Sequence, residues 1–121
     1  MNVEYAASCL YKLFAVLSSP VHVNHRWNAR HASLSPNPCI LLDHVWYTES
    51  GESRVATVTL EMVDDRVKSD GYNMMTVRPV LRRTYETCDL GPKSTEAFLE
   101  LEKVITLHAA RLGVLYLEAG R

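Results

Sequence analysis

Glycine, cysteine and net charge are all scarce in this chain of 121 residues. The five glycines are scattered, so no glycine-rich loop cradles a phosphate. Cys9, Cys39 and Cys88 stand far apart, with no C-x-x-C pair. Neither a disulfide framework nor a cysteine zinc site is signalled, and buried thiols in a reducing compartment are expected. A net charge of −1 excludes an overall basic field, so any nucleic-acid partner must be met by a local patch. The apolar run Cys9–Leu17 is too short to span a bilayer and contains Lys12. The first residues lack the basic start and small-residue cleavage site of a secretory signal. The expectation is one globular domain over residues 1–121, soluble, made inside the cell and without a membrane partner.

Catalytic patterns are missing as well. His22 and His25 are three residues apart, which on a strand turns them to opposite faces. His31, His44 and His108 complete no H-x-x-x-H with a glutamate, so no metal site is expected. No Gly-x-Ser-x-Gly turn occurs, and the adjacent acids Asp64 and Asp65 read as solvated loop residues. An enzyme or a bound cofactor is therefore not expected. A pocket joining His22, His25 and Asp43 would reverse that reading.

What is present is alternation and helical periodicity. Residues 3–17 place Ala6, Leu10, Leu13 and Leu17 at helical spacing, although Val3, Tyr5 and Val16 also suit strands. Val21–Trp27 alternates as a half-buried strand does, and Asn28–Pro38 reads as a loop. Ile40–Thr48 and Arg54–Val63 read as strands joined by ESGES, with Gly51 supplying a positive φ. Asp64–Gly71 reads as a charged loop, and Tyr72–Glu86 as another strand despite Pro79. After Gly91-Pro92, with Ser94 or Thr95 as cap, a helix over 95–112 aligns Phe98, Leu101, Ile105, His108 and Leu112 on one stripe. Val114–Leu117 is a short apolar tail. The fold class is α+β, an antiparallel β-sheet of about four to six strands with a long C-terminal helix packed on one face.

The faces of that sheet differ. Ala56, Val58, Leu60 and Met62 point one way; Val55, Thr57, Thr59, Glu61 and Val63 point the other. In the next strand Thr76, Arg78 and Arg82 separate from Met75, Val77 and Leu81. A face of threonines and arginines, with Tyr85 as an aromatic, suits phosphates and bases. A solvated outer surface is the commoner reading of the same pattern.

Over residues 33–121 this order of elements resembles the coat proteins of single-stranded RNA bacteriophages. The resemblance rests on the ESGES hairpin, the loop DDRVKSDG, the Pro-containing strand MMTVRPVLRR and the helix opening KSTEAFLELEKVI. It implies a homodimer with one continuous sheet, C-terminal helices packing across the partner's sheet, and an icosahedral shell. The virion would be assembled in the host bacterial cytoplasm. Single-stranded RNA would lie on the inner sheet face, at Thr57, Thr59, Glu61, Thr76, Arg78 and Arg82, with Arg83 and Tyr85 as neighbours. The loop Asp64–Gly71 would sit at the shell's symmetry axes. Members of that family commonly begin with a β-hairpin, at odds with the helical periodicity of residues 3–17. The alternative function is a small RNA- or protein-binding module, such as a phage-encoded inhibitor of a host protein.

Overall fold

The first helix follows from its stripe. Ala6, Cys9, Leu10, Leu13 and Leu17 recur at three- and four-residue spacing, and all are buried in α1 (Val3–Leu17). The computed structural model describes residues 3–19, 27–34, 37–68, 75–85 and 92–118. After α1 come β1 (Asn28–Leu34), β2 (Asn37–Tyr47), β3 (Ser53–Lys68), β4 (Met75–Tyr85), α2 (Pro92–Leu112) and β5 (Leu115–Glu118). The five strands lie in one sheet in sequence order. Both helices cover the same face, where their stripes meet Ile40, Leu42, Ala56, Val58, Leu60, Met62 and Leu81 in one apolar cluster. The α+β class read from the sequence is the class of the fold. No helix of the described residues is long and apolar enough to cross a membrane.

Four sequence readings are corrected. Residues 28–38, read as a loop, supply β1 and the start of β2, which pair antiparallel from Asn28↔Asp43 to Leu34↔Asn37. Backbone pairing with β2 forms that strand, not side-chain alternation. Asp64–Lys68, read as loop, continues β3 and pairs with Met75–Pro79. Neither β2 nor β5 reaches this stretch, so a two-stranded ribbon extends there and charged residues are tolerated. The sheet is mixed rather than antiparallel, because β5 runs parallel to β4. The crossover through α2 returns the chain in the direction of β4, as a strand–helix–strand unit does. Finally α2 begins at Pro92, before Ser94 and Thr95. Proline fits the first helical turn, whose N–H has no intrahelical acceptor. The strand read at Val21–Trp27 falls outside the described residues except for Trp27, which precedes β1.

Local devices close the elements. Helix α2 ends on Gly113 at φ 70°, with Val114 N–H donating to Ala109 O and Gly113 N–H to Ala110 O, both at 3.0 Å. This Schellman geometry leads straight into buried Val114. The Trp27 Nε1–H donates to Ala97 O at 3.0 Å and ties the chain before β1 to α2. In the β2–β3 turn Gly51 has φ 85°, and Thr48 N–H donates to Glu52 O at 2.9 Å. A Cβ at Gly51 would meet nothing within 4 Å, so Gly51→Ala carries a backbone cost alone. We expect it to destabilise the protein by about 1 kcal/mol in urea unfolding. An unchanged midpoint would show that the turn relaxes to a negative φ.

Proline 79 interrupts nothing. Each β4 residue from Met75 to Tyr85 has its β3 partner in unbroken register, with Pro79 opposite Asp64. Pairing of β4 with β5 starts one residue later, at Val80. Proline thus sits where β4 has a single neighbouring strand, the setting in which a missing N–H is tolerated.

Candidate functional site

Among the described residues neither helix covers the second face of the sheet, although Cys39 and Val80 on it are buried, and register decides what else stands there. From β1 to β3, Arg30, Asp43 and Thr57 fall in one neighbourhood. Arg30 Nε–H donates to Asp43 Oδ2, and Thr57 Oγ1–H to Asp43 Oδ1, both at 3.0 Å. Next to them Leu41, Thr59 and Thr84 share the face, through the pairs Leu41↔Thr59 and Thr59↔Thr84. Glu61 then pairs with Arg82, whose Nη2 donates to Glu61 Oε1. Val80, whose register partners are Val63 and Leu115, is buried. Farther out on the ribbon Arg78 donates from Nε and Nη2 to Asp65 Oδ2, at 3.4 and 3.3 Å.

Thr57, Thr59, Glu61, Arg78 and Arg82 therefore share one face. Arg78 and Arg82 keep side-chain exposures of 51% and 43%, so both reach solvent. Each arginine also has a carboxylate on the neighbouring strand, and the face is close to charge-neutral. Thr76 keeps the parity of Arg78 and pairs with Val67; its side chain lies outside the described residues.

Arg83 is a correction. The unbroken alternation places it opposite Leu60, on the helix-covered face, with 0% exposure. Its Nε lies 2.6 Å from Glu102 Oε1 on α2, and its guanidinium carbon sits 4.8 Å from the centre of the Phe98 ring. The Tyr116 hydroxyl of β5 donates to the same Glu102 oxygen at 2.6 Å. Burial, then the bond to Glu102, pushes the Tyr116 phenol pKa far up. Arg83 thus joins β4 to α2 and cannot reach a ligand on the open face. Tyr85 pairs with Val58 in the register, and its side chain lies outside the described residues.

The helix stripe is used within one chain. Phe98, Leu101, Ile105 and His108 are buried and Leu112 is partly buried against the same core.

The described histidines do not converge. His31 stacks on Phe14 with ring centres 3.9 Å apart, and His44 lies 5.2 Å from the Trp27 ring. His22 and His25 lie outside the described residues, and Asp43 is engaged by Arg30 and Thr57. Among the described residues no three metal-ligating side chains are grouped.

Sequence reasoning missed the carboxylate partners Asp43 and Asp65, since pairing across strands needs the register. It also passed over Val45 and Tyr47, which are exposed with Val55 on the open face near the β2–β3 turn. Alternation within each strand carried that signal. Comparison with protein-family models, curated proteins and solved structures finds no match to this chain.

Proposed function

We propose that this chain is a structural protein of the RNA-phage coat type, which associates with itself into a closed shell and holds single-stranded RNA against the uncovered sheet face. The observation that supports this reading is the two-sidedness of the sheet. One face is sealed by helices; the other groups Arg78 and Arg82 with Thr57, Thr59 and Thr84. Guanidinium groups and hydroxyls are the donors a phosphate backbone takes. Asp65 and Glu61 hold the arginines extended across the strands, so a phosphate must displace a carboxylate to bind. Such binding is weak per contact, indifferent to sequence and strongly salt-dependent. Homodimers and then virions, assembled in the host cytoplasm, belong to the same reading.

Size-exclusion chromatography and electron microscopy of the purified protein test assembly. Particles containing nuclease-protected RNA are expected. A monomer at every concentration would sink the proposal. The arginines have a sharper test in Arg78→Ala with Arg82→Ala. That protein should assemble but retain less RNA, and its log–log salt slope should fall by about 1.4, at about 0.7 per lost phosphate contact. An unchanged slope would remove both residues from the RNA site.

The charge balance of the face favours a second reading, a small module that binds a host protein. A host protein recovered at fixed stoichiometry, with no particles formed, would select it.

A further inference from the structure

The resemblance sets Glu61 among the RNA contacts, yet an ionised carboxylate only accepts hydrogen bonds and has no donor for a phosphate. Its position in the sheet gives it the opposite part. On the open face β3 contributes Thr57, Thr59, Glu61, Val63 and Asp65, and β4 contributes Arg78, Val80, Arg82 and Thr84. Glu61 is the register partner of Arg82, and Asp65 that of Arg78. Arg30, on the same face, repeats the arrangement with Asp43 across β1 and β2.

The acids also lie deeper than the cations. Side-chain exposure is 20% for Glu61 and 33% for Asp65, below that of the arginine each one holds. A ligand arriving from solvent meets the guanidinium groups first. A phosphate seated on either arginine then stands close to a fixed negative charge, and finds one or more donors already given to it. Repulsion and lost donors both weaken binding without abolishing it.

We propose that Glu61 and Asp65 are built-in competitors of RNA phosphate, which set the affinity of this face below what its arginines alone would give. The inference rests on the RNA reading and names what regulates the same site. Weak single contacts exchange quickly, so a strand held at several points can be shifted without being lost. Glu61 and Asp65 are four residues apart on β3, about 13 Å at about 3.3 Å per residue, so the two competitors act independently.

The test is Glu61→Gln with Asp65→Asn, which keeps the shape of both side chains and removes their charge. Fluorescence anisotropy of a labelled oligouridylate, at fixed salt, should show about ten-fold tighter binding for each acid neutralised. The log–log salt slope should stay as it is, because the same phosphates are neutralised. Glu49→Gln with Glu96→Gln removes equal charge from exposed sites in the β2–β3 turn and on α2, and should change affinity by less than about two-fold. Adding Arg78→Ala and Arg82→Ala to the neutral variant should erase its gain. Should that variant fold poorly, Asp65→Asn alone, on the ribbon beyond β2, should give one ten-fold step. Weaker binding by the neutral variant would make the acids positioning residues and overturn the proposal. So would a steeper salt slope, an equal gain in the Glu49/Glu96 control, or a gain that survives loss of the arginines. If the unaltered chain binds RNA and the neutral variant binds no tighter, competition falls and the RNA reading stands. If only the neutral variant binds, competition stands and the RNA reading of the natural face falls. If neither binds, both fall.

Discussion

Glu102→Ala is expected to destabilise the protein by about 3–5 kcal/mol, the cost of stripping one partner from a buried ion pair. Arg83 is wholly buried, and Glu102 supplies the carboxylate oxygen 2.6 Å from its Nε. Removing that oxygen leaves a cation in an apolar layer, beside the Phe98 ring. The ion pair itself is a poor source of net stability, because desolvating both charges offsets most of their attraction. Arg83→Met combined with Glu102→Leu should therefore lie within about 1 kcal/mol of the unaltered protein, well above Glu102→Ala alone. Tyr116→Phe should cost about 1 kcal/mol, one hydrogen bond. Urea midpoints at constant slope measure all three. A double variant as damaged as the single one would show that the site needs its charges for shape.

The same triad sets an alkaline limit. Burial and the bond to Glu102 raise the Tyr116 pKa in the folded chain above its ordinary value of 10.0. An unfolded chain releases that proton near 10.0, whereas the folded chain keeps it. Stability from this group is thus complete below that pH and declines as pH rises beyond it. Tyr116→Phe should flatten the decline.

Much of this arrangement was legible in the chain, for reasons that differ by element. Ala6, Leu10, Leu13 and Leu17 could be read as helical because one apolar stripe dictates one buried side. Arg78 and Arg82 could be placed with Thr57 and Thr59 because strand parity survives Pro79. Arg83 shows what composition hides. Parity alone sends it to the covered face, while its charge argues for solvent. Glu102, on a different element, settles the contest, and nothing local announces that partner. The sequence Asn28–Leu34 has no β-branched residue, so only its ladder to β2 makes it a strand. Asp43 and Asp65 are likewise ordinary acids until register sets Arg30 and Arg78 beside them.

The helix layer offers the largest effect. Leu101 is fully buried on α2, while Leu99, two positions earlier, is 54% exposed. A two-residue step on a helix turns the side chain by about 200°, so the two leucines test one register from opposite sides. Leu101→Asp puts a carboxylate into the apolar cluster that holds Ile105, Leu60 and the stripe of α1, where the guanidinium of Arg83 is already engaged by Glu102. Its burial cost of several kcal/mol, added to the lost apolar contact, rivals the roughly 5–15 kcal/mol that holds a domain folded. The variant should be unfolded or aggregated at room temperature, with near-UV circular dichroism lost. Leu99→Asp should fold within about 0.5 kcal/mol of the unaltered chain, as surface substitutions do. Leu101→Ala, which removes the contact without adding charge, should fall between them at about 2–5 kcal/mol. Because α2 spends its stripe on its own sheet, Leu101→Asp should destroy the isolated chain and not merely its association. A folded, monomeric Leu101→Asp protein would instead place that stripe between subunits, and would restore the helix exchange that the resemblance to coat proteins implies.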